Sequence, residues 1–239
     1  MLSEELKERL AKKATTEFIS TTEKGEHLVA IGSSLQQNPF WLDKSELVHE
    51  IEGKFYDSYI KEHADFKLLV RESVLERLQA AQAKLPKHWH IVVRAGYRPL
   101  EVQTAMFDDY VDKLEAENPD WSMDQCIGHA EQYISNPYHI VACPHVTGGA
   151  IDIEIYDSEN GVTVDMGGKI CELGVKSHIL NDKLNKVQRQ NQETLIEAMF
   201  DVGFAPFSTE WWHFSYGDHN WARFYEKKCA LYGSAYMSI

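Results

Sequence analysis

Leu2, Leu6 and Leu10 recur at the four-residue spacing of one helical face, with charged residues between them, and predict a short amphipathic helix at the start of the chain. Residues 15 to 60 show no such period. They mix turn formers, such as Gly32-Ser33-Ser34, with the aromatic pairs Phe40-Trp41 and Phe55-Tyr56, and read as irregular structure packed against a main domain. A second helix is signalled near Ser73. Ser73 and Glu76 have the spacing of a capping box, Val74, Leu75, Leu78 and Leu85 form an apolar stripe, and Pro86 stops it. His90, Ile91, Val92 and Val93 then read as a short strand, and the turn Gly96-Tyr97-Arg98-Pro99 leads into a helix whose buried face is Val102, Met106 and Tyr110. Arg98 thus falls at a strand-to-helix junction.

Further along, Ser122 and Gln125 mark another helix start, and Asn136-Pro137 its latest end. Isoleucines alternate with acidic residues over 150 to 156, the period of a half-buried strand. A long helix is predicted over about 181 to 200 with Gly203 as its C-terminal cap, a strand over 211 to 216, and a last helix over about 220 to 231. Helices placed before and between non-repeating strands indicate an α+β fold rather than regular βαβ units.

Composition narrows the function classes. A chain of 239 residues, 44 % hydrophobic and 26 % charged, is long enough for one large globular domain. Its 24 Lys and Arg against 37 Asp and Glu give a net charge of −13, which repels a phosphate backbone, so no nucleic-acid partner is expected. No stretch approaches the roughly 18 apolar residues of a membrane span, and the first residues lack the apolar centre of a secretory signal. Cys126, Cys143, Cys171 and Cys229 are widely spaced without a C-x-x-C pair, which argues against cysteine-held zinc and points to a reduced, cytoplasmic setting.

The chemistry concentrates in two stretches, from Pro144 to Asp152 and from Glu210 to His213. His145, Asp152 and His213 supply two imidazoles and a carboxylate, the three-ligand set that leaves a catalytic Zn²⁺ one open position. His145 and Asp152 have opposite parity on an unbroken strand, but Gly148-Gly149 permits a tight turn that brings both to one metal. Glu210 is the choice for the general base that takes a proton from the attacking water, and Arg98 for the cation that stabilises the resulting oxyanion. His139 and His178 are assigned to structure, and Cys143 to the pocket as a small residue. Trp211 and Trp212 read as core or pocket wall.

Gly96-Tyr97-Arg98-Pro99, the H-x-x-G-x-A-x-D pattern from His145 to Asp152, Asp165-Met166-Gly167, Ser177-His178 and Glu210-Trp211-Trp212-His213 resemble, in order and spacing, the D-alanyl-D-alanine dipeptidases, including those of vancomycin resistance. The resemblance covers about residues 65 to 217. It implies a compact single domain with a small, mainly antiparallel sheet flanked by helices, the fold of the D,D-carboxypeptidases and the Hedgehog amino-terminal domain. It also implies one zinc ion per chain on His145, Asp152 and His213, a small peptide of peptidoglycan metabolism as substrate, and a cytoplasmic location. On this reading residues 61 to 239 form the zinc peptidase domain, and residues 1 to 60 a divergent amino-terminal segment packed on it.

Three positions depart from the family pattern. Cys143 stands where serine is usual, Ala95 where an aspartate precedes A-Y-R-P, and Ile170-Cys171 where a phenylalanine-aspartate pair helps hold the substrate ammonium. Glu172 is the expected substitute for the lost carboxylate, with Cys143 and Trp211 as the other substrate contacts. Two alternatives stay open at this point: a carboxypeptidase that trims longer stem peptides, and a non-catalytic zinc-stabilised binding domain.

Overall fold

The computed structural model describes residues 2–12, 19–31, 68–139, 141–172 and 174–235. Its centre is an antiparallel sheet of order β4 (Trp89–Ala95), β5 (Ala150–Asp157), β8 (Glu210–Ser215) and β7 (Ala205–Phe207), with β6 (Val162–Thr163) pairing the far end of β5. Every pairing within it is antiparallel. Alternation sorts the two faces. Ile91, Val93, Ile151, Ile153 and Ile155 enter the main core, where burial stabilises by roughly 1.5–3 kcal/mol per large aliphatic side chain. Helices α2 (Glu72–Gln82) and α5 (Lys186–Phe200) cover this face through Val74, Leu78, Leu195, Ile196 and Met199. The opposite face carries Asp152, and beside it stand α3 (Leu100–Glu117) and α4 (Met123–Ala130), which pack on each other through Phe107, Val111, Leu114, Cys126 and Ala130.

The amino-terminal helix α1 (Glu4–Ala11) forms as the leucine spacing predicts, with Ser3 accepting a hydrogen bond from the Leu6 amide. Leu2 and Leu6 join the main core. The expectation of irregular structure over 15 to 60 falls mostly outside the described residues, including Gly32-Ser33-Ser34 and both aromatic pairs. The described part contains two short strands. β1 (Ser20–Thr21) pairs in parallel with β9 (Cys229–Ala230), and β2 (Leu28–Ala30) pairs antiparallel with β3 (Leu69–Arg71).

Local signals fix most boundaries. Ser122 and Gln125 make the anticipated capping box, and α5 begins at a second one, Asn185 with Gln188, later than the expected start near 181. Gly203, with φ 92°, ends α5 as the cap role requires: its amide donates to Phe200 and that of Phe204 to Met199. Ser73, by contrast, is no N-cap. Strand β3 runs directly into α2, so Arg71 occupies the cap position, and the Ser73 hydroxyl meets the Tyr232 hydroxyl at 2.6 Å. On the buried face of α3 Val102 is buried as expected and Tyr110 packs at the edge of the contact with α4, but its centre is Phe107, Val111 and Leu114, and Met106 lines the cavity instead. The last helix, α6 (His219–Phe224), is shorter than 220 to 231: Asp218 caps its start, Glu226 turns left-handed at φ 53°, and the chain leaves to form β9.

Candidate metal centre and active site

The register of the sheet makes the centre. Asp152 on β5 lies directly opposite His213 on β8, and cross-strand partners on one face hold their Cβ atoms about 4.5–5.5 Å apart. His145 arrives from a 3-10 turn, His145–Thr147, that ends at Gly148 in the left-handed region at φ 72°. Gly149 then passes so close to the sheet that a Cβ would sit 2.5 Å from the Tyr216 carbonyl oxygen. The glycine pair therefore folds His145 back over β5 as the sequence suggests, although through a helical turn and not within a strand.

One ligand atom from each of His145, Asp152 and His213 lies within 4.8 Å of the others, and all three residues are buried. His145 Nε2 is 3.3 Å from Asp152 Oδ2, and His213 Nδ1 is 3.1 Å from Asp152 Oδ1. The other nitrogen of His145, Nδ1, is 2.9 Å from the Gly96 carbonyl, an acceptor only, so Nδ1 carries the proton. In the neutral ring Nε2 then presents a lone pair to a carboxylate oxygen, an arrangement that a cation between them resolves. The backbone bond that fixes the tautomer is the usual outer support of a metal-binding histidine. Two imidazole nitrogens and a carboxylate suit Zn²⁺, and three protein donors leave a position for water or substrate.

Charge and burial compete within the cluster. Desolvation opposes ionisation of Asp152, but His145 and then His213, by charge and hydrogen bonding, outweigh it and hold the carboxyl well below the usual range. Burial pushes His145 down, while at His213 the hydrogen bond and charge of Asp152 overcome burial and raise it. Glu210, with Oε2 3.8 Å from His213 Nδ1, is pushed up to about 7, chiefly by burial. A carboxyl tuned to that value can take and return a proton near neutrality.

Glu210 and His213 have opposite strand parity, yet both reach the site. The register between β7 and β8 jumps from Pro206↔Phe214 to Phe207↔Glu210, so β8 bulges and turns both side chains to one side. Ser177 supports this end of the strand: its hydroxyl donates to the Thr209 carbonyl at 2.6 Å, and its own carbonyl accepts from the Trp211 amide at 2.8 Å. Arg98 lies in the turn between β4 and α3, its amide donating to the His145 carbonyl and its Nη1 donating to Gln103 Oε1 at 2.8 Å. Gln103, which sequence reasoning passed over, is buried and also donates to the Ser135 carbonyl. Its place at the fourth position of α3, on the face turned to the pocket, gave no signal in a sequence read for apolar stripes.

All five residues, His145, Asp152, His213, Glu210 and Arg98, line one cavity of ≈ 220 Å³. The expected substrate contacts are placed differently. Cys143 is buried behind the wall, its Sγ 3.6 Å from the Ser135 carbonyl and its thiol pushed up to about 11 by burial. Trp211 and Glu172 line a neighbouring cavity, where Glu172 pairs with Lys176 at 3.0 Å. The bulge explains Trp211: on the Glu210 side of it Glu210 and Trp212 share the site face, and Trp211, despite having the parity of His213, points away. A left-handed Cys171, at φ 61°, brings its own side into the catalytic cavity and leaves Glu172 outside it. His139 and His178 are not in the cluster, as expected.

The family model for D-Ala-D-Ala dipeptidases (Peptidase_M15) matches residues 53–230. A D-alanyl-D-alanine dipeptidase of Synechocystis is 33 % identical over 194 residues, 69 % of this chain and 78 % of that one. That of Escherichia coli K12 is 29 % identical over 124 residues, 52 % of this chain and 53 % of its own length. Among solved structures, VanYB in complex with D-Alanine-D-Alanine is 19 % identical at a TM-score of 0.41, covering 69 % of this chain and 81 % of that one. The family model spans the stretch that carries the buried His-Asp-His cluster and its neighbouring glutamate, and with the extent of the Synechocystis match this means that the chain belongs to the D-Ala-D-Ala dipeptidase family of peptidases.

Proposed function

We propose that the protein hydrolyses D-Ala-D-Ala or a related small peptide of peptidoglycan metabolism, with zinc held by His145, Asp152 and His213. The observation that carries this reading is the juxtaposition, in one cavity, of a buried three-donor cluster with a fourth, separately held carboxylate at Glu210. A merely structural metal needs no such base, which counts against the non-catalytic alternative. The cavity of ≈ 220 Å³ is smaller than the roughly 300–1,000 Å³ of drug-sized ligand sites, and this favours a small peptide.

A zinc ion held by His145, Asp152 and His213 would supply Lewis acidity to the scissile carbonyl and to the attacking water. Glu210 takes the proton from the attacking water at a carboxylate oxygen and passes it to the leaving amine. Arg98, fixed by its backbone and by Gln103, donates to the oxygen that becomes negative as the carbon turns tetrahedral. Trp212 and Phe207 wall the cavity and keep bulk water from competing.

The same reading takes residues 61–239 as the catalytic unit and residues 1–60 as a segment packed on it, supported by the burial of Leu2, Leu6 and Ile31 in the main core. It also takes the setting as cytoplasmic, supported by four free thiols. No helix among the described residues is long and apolar enough to cross a membrane.

The test is release of D-alanine from D-Ala-D-Ala by the full chain. Turnover is expected, with loss on chelation and recovery on adding zinc. Hydrolysis that persists in excess chelator, or no hydrolysis of any D,D-dipeptide by zinc-loaded protein, contradicts the proposal.

A further inference from the structure

His213 is supported differently from His145. The proton of His145 is fixed by the Gly96 backbone carbonyl, whereas both nitrogens of His213 face side chains: Nδ1 lies 3.1 Å from Asp152 Oδ1, and Nε2 lies 3.3 Å from Ser215 Oγ. Resting on the zinc reading above, we propose that Ser215 is the positioning residue for His213: its hydroxyl oxygen accepts the Nε2 proton, so that the Nδ1 lone pair is left for the metal.

Packing fixes the plane of the His213 ring but not the place of its proton. The ring of Phe207 lies 5.3 Å from it and that of His145 5.0 Å, centroid to centroid, and Phe207 offers no acceptor that distinguishes one ring nitrogen from the other. That choice falls to the polar partners. Ser215 follows His213 by two residues on β8 and so shares its side of the strand. It is 1 % exposed, and the residues opposite it on the two neighbouring strands are Ala150 and Ala205, which have no polar side-chain atom. Among the described residues, His213 Nε2 is the hydrogen-bond partner of the Ser215 hydroxyl.

The two tautomers have opposite consequences. A proton on Nδ1 is donated to Asp152 and occupies the nitrogen that faces the cluster, whereas a proton on Nε2 is donated to Ser215 and frees it. Without the hydroxyl, Asp152 is the acceptor that remains, and the ring proton opposes the metal. A buried N–H with no acceptor is costly, so the metal-bound form bears the loss. Partners of this kind, behind a metal ligand, hold its tautomer and orientation.

Zinc affinity is measured by chelator competition on the full chain, for the unsubstituted protein, Ser215→Ala and the isosteric pair Ser215→Thr and Ser215→Val, which differ in the hydroxyl alone. Ala and Val are expected to weaken zinc binding by about 10- to 100-fold, and Thr to stay within about threefold of the unsubstituted chain. Ring-nitrogen NMR of the zinc-loaded, unsubstituted chain is expected to place the His213 proton on Nε2, a readout that needs no variant to fold. Unchanged affinity in Ala and Val, equal losses in Thr and Val, or a His213 proton on Nδ1 in the zinc-loaded chain overturns the proposal. Failure of the zinc reading itself shows separately, as an unsubstituted chain that binds no zinc or whose zinc affinity His213→Ala leaves unaltered, and it overturns both.

Discussion

Glu210 illustrates how surroundings retune one side chain. A surface glutamate is ionised throughout the neutral range, but burial beside Asp152 pushes this one up to about 7. In the metal-free protein its folded value therefore lies above its unfolded one. Its contribution to stability is fully present below about pH 4.3, the ordinary value for Glu, and is lost as pH rises through about 7. Melting temperatures of the metal-free chain and of Glu210→Gln, compared across that window, should show a steeper fall with pH in the former; parallel profiles would contradict the assignment. In the zinc-loaded enzyme, Glu210→Gln should lower kcat by about 10²–10⁴-fold while zinc content stays at one per chain. Gln103→Ala removes the acceptor that orients Arg98, and kcat/KM should fall by about 10-fold or more, through kcat more than KM. At this scale the sequence was informative about identity and weak about direction. His145, Asp152, His213, Glu210 and Arg98 all line one cavity, whereas Cys143, Trp211 and Glu172 do not, because chain spacing does not reveal which side of a strand or turn a residue faces.

Between elements, register does the assembling. The pairing of Asp152 with His213 across β5 and β8 brings together residues 61 positions apart, and no local pattern encodes it. Nor does any local pattern encode the bulge that turns Glu210 and His213 to one side. What the sequence does encode is local. Alternating isoleucines specify β5, capping boxes start α4 and α5, and Gly203 ends α5. The misplaced starts and faces, at Ser73 and on α3, arise where a tertiary neighbour overrides a local signal. The turn that delivers His145 depends on close backbone approach. Gly149→Ala places a methyl 2.5 Å from the Tyr216 carbonyl oxygen and 3.0 Å from Thr147 Oγ1. It should cost about 2 kcal/mol or more in denaturant unfolding and weaken zinc retention in a chelator competition. Unaltered values for both would show that the turn has slack.

Across the whole molecule, the metal loop is clamped by segments distant in sequence. Arg71 is buried, donates from Nε to the Thr147 carbonyl at 2.7 Å, and also donates to the carbonyls of Glu26 and Gly233. Its guanidinium stacks over Tyr232 at 4.9 Å. One cation thus joins the amino-terminal segment, the loop that begins at His145 and the carboxyl-terminal stretch, where Ala235 also donates to Val146. Arg71→Met leaves those carbonyls without a donor and should lower stability by about 2–4 kcal/mol, read from a urea titration, with weaker zinc binding as a second readout. This clamp was not legible in advance, since all of its partners except the Glu23 carboxylate are backbone groups or aromatic rings that carry no motif.

The central claim is that His145, Asp152 and His213 hold one zinc ion. Its most direct test is an anomalous difference map, collected at the zinc edge from crystals of the zinc-loaded full chain. A single peak within about 2.0–2.2 Å of His145 Nε2, His213 Nδ1 and an Asp152 oxygen is predicted. No peak there, or one coordinated by a cysteine sulfur, would contradict the account.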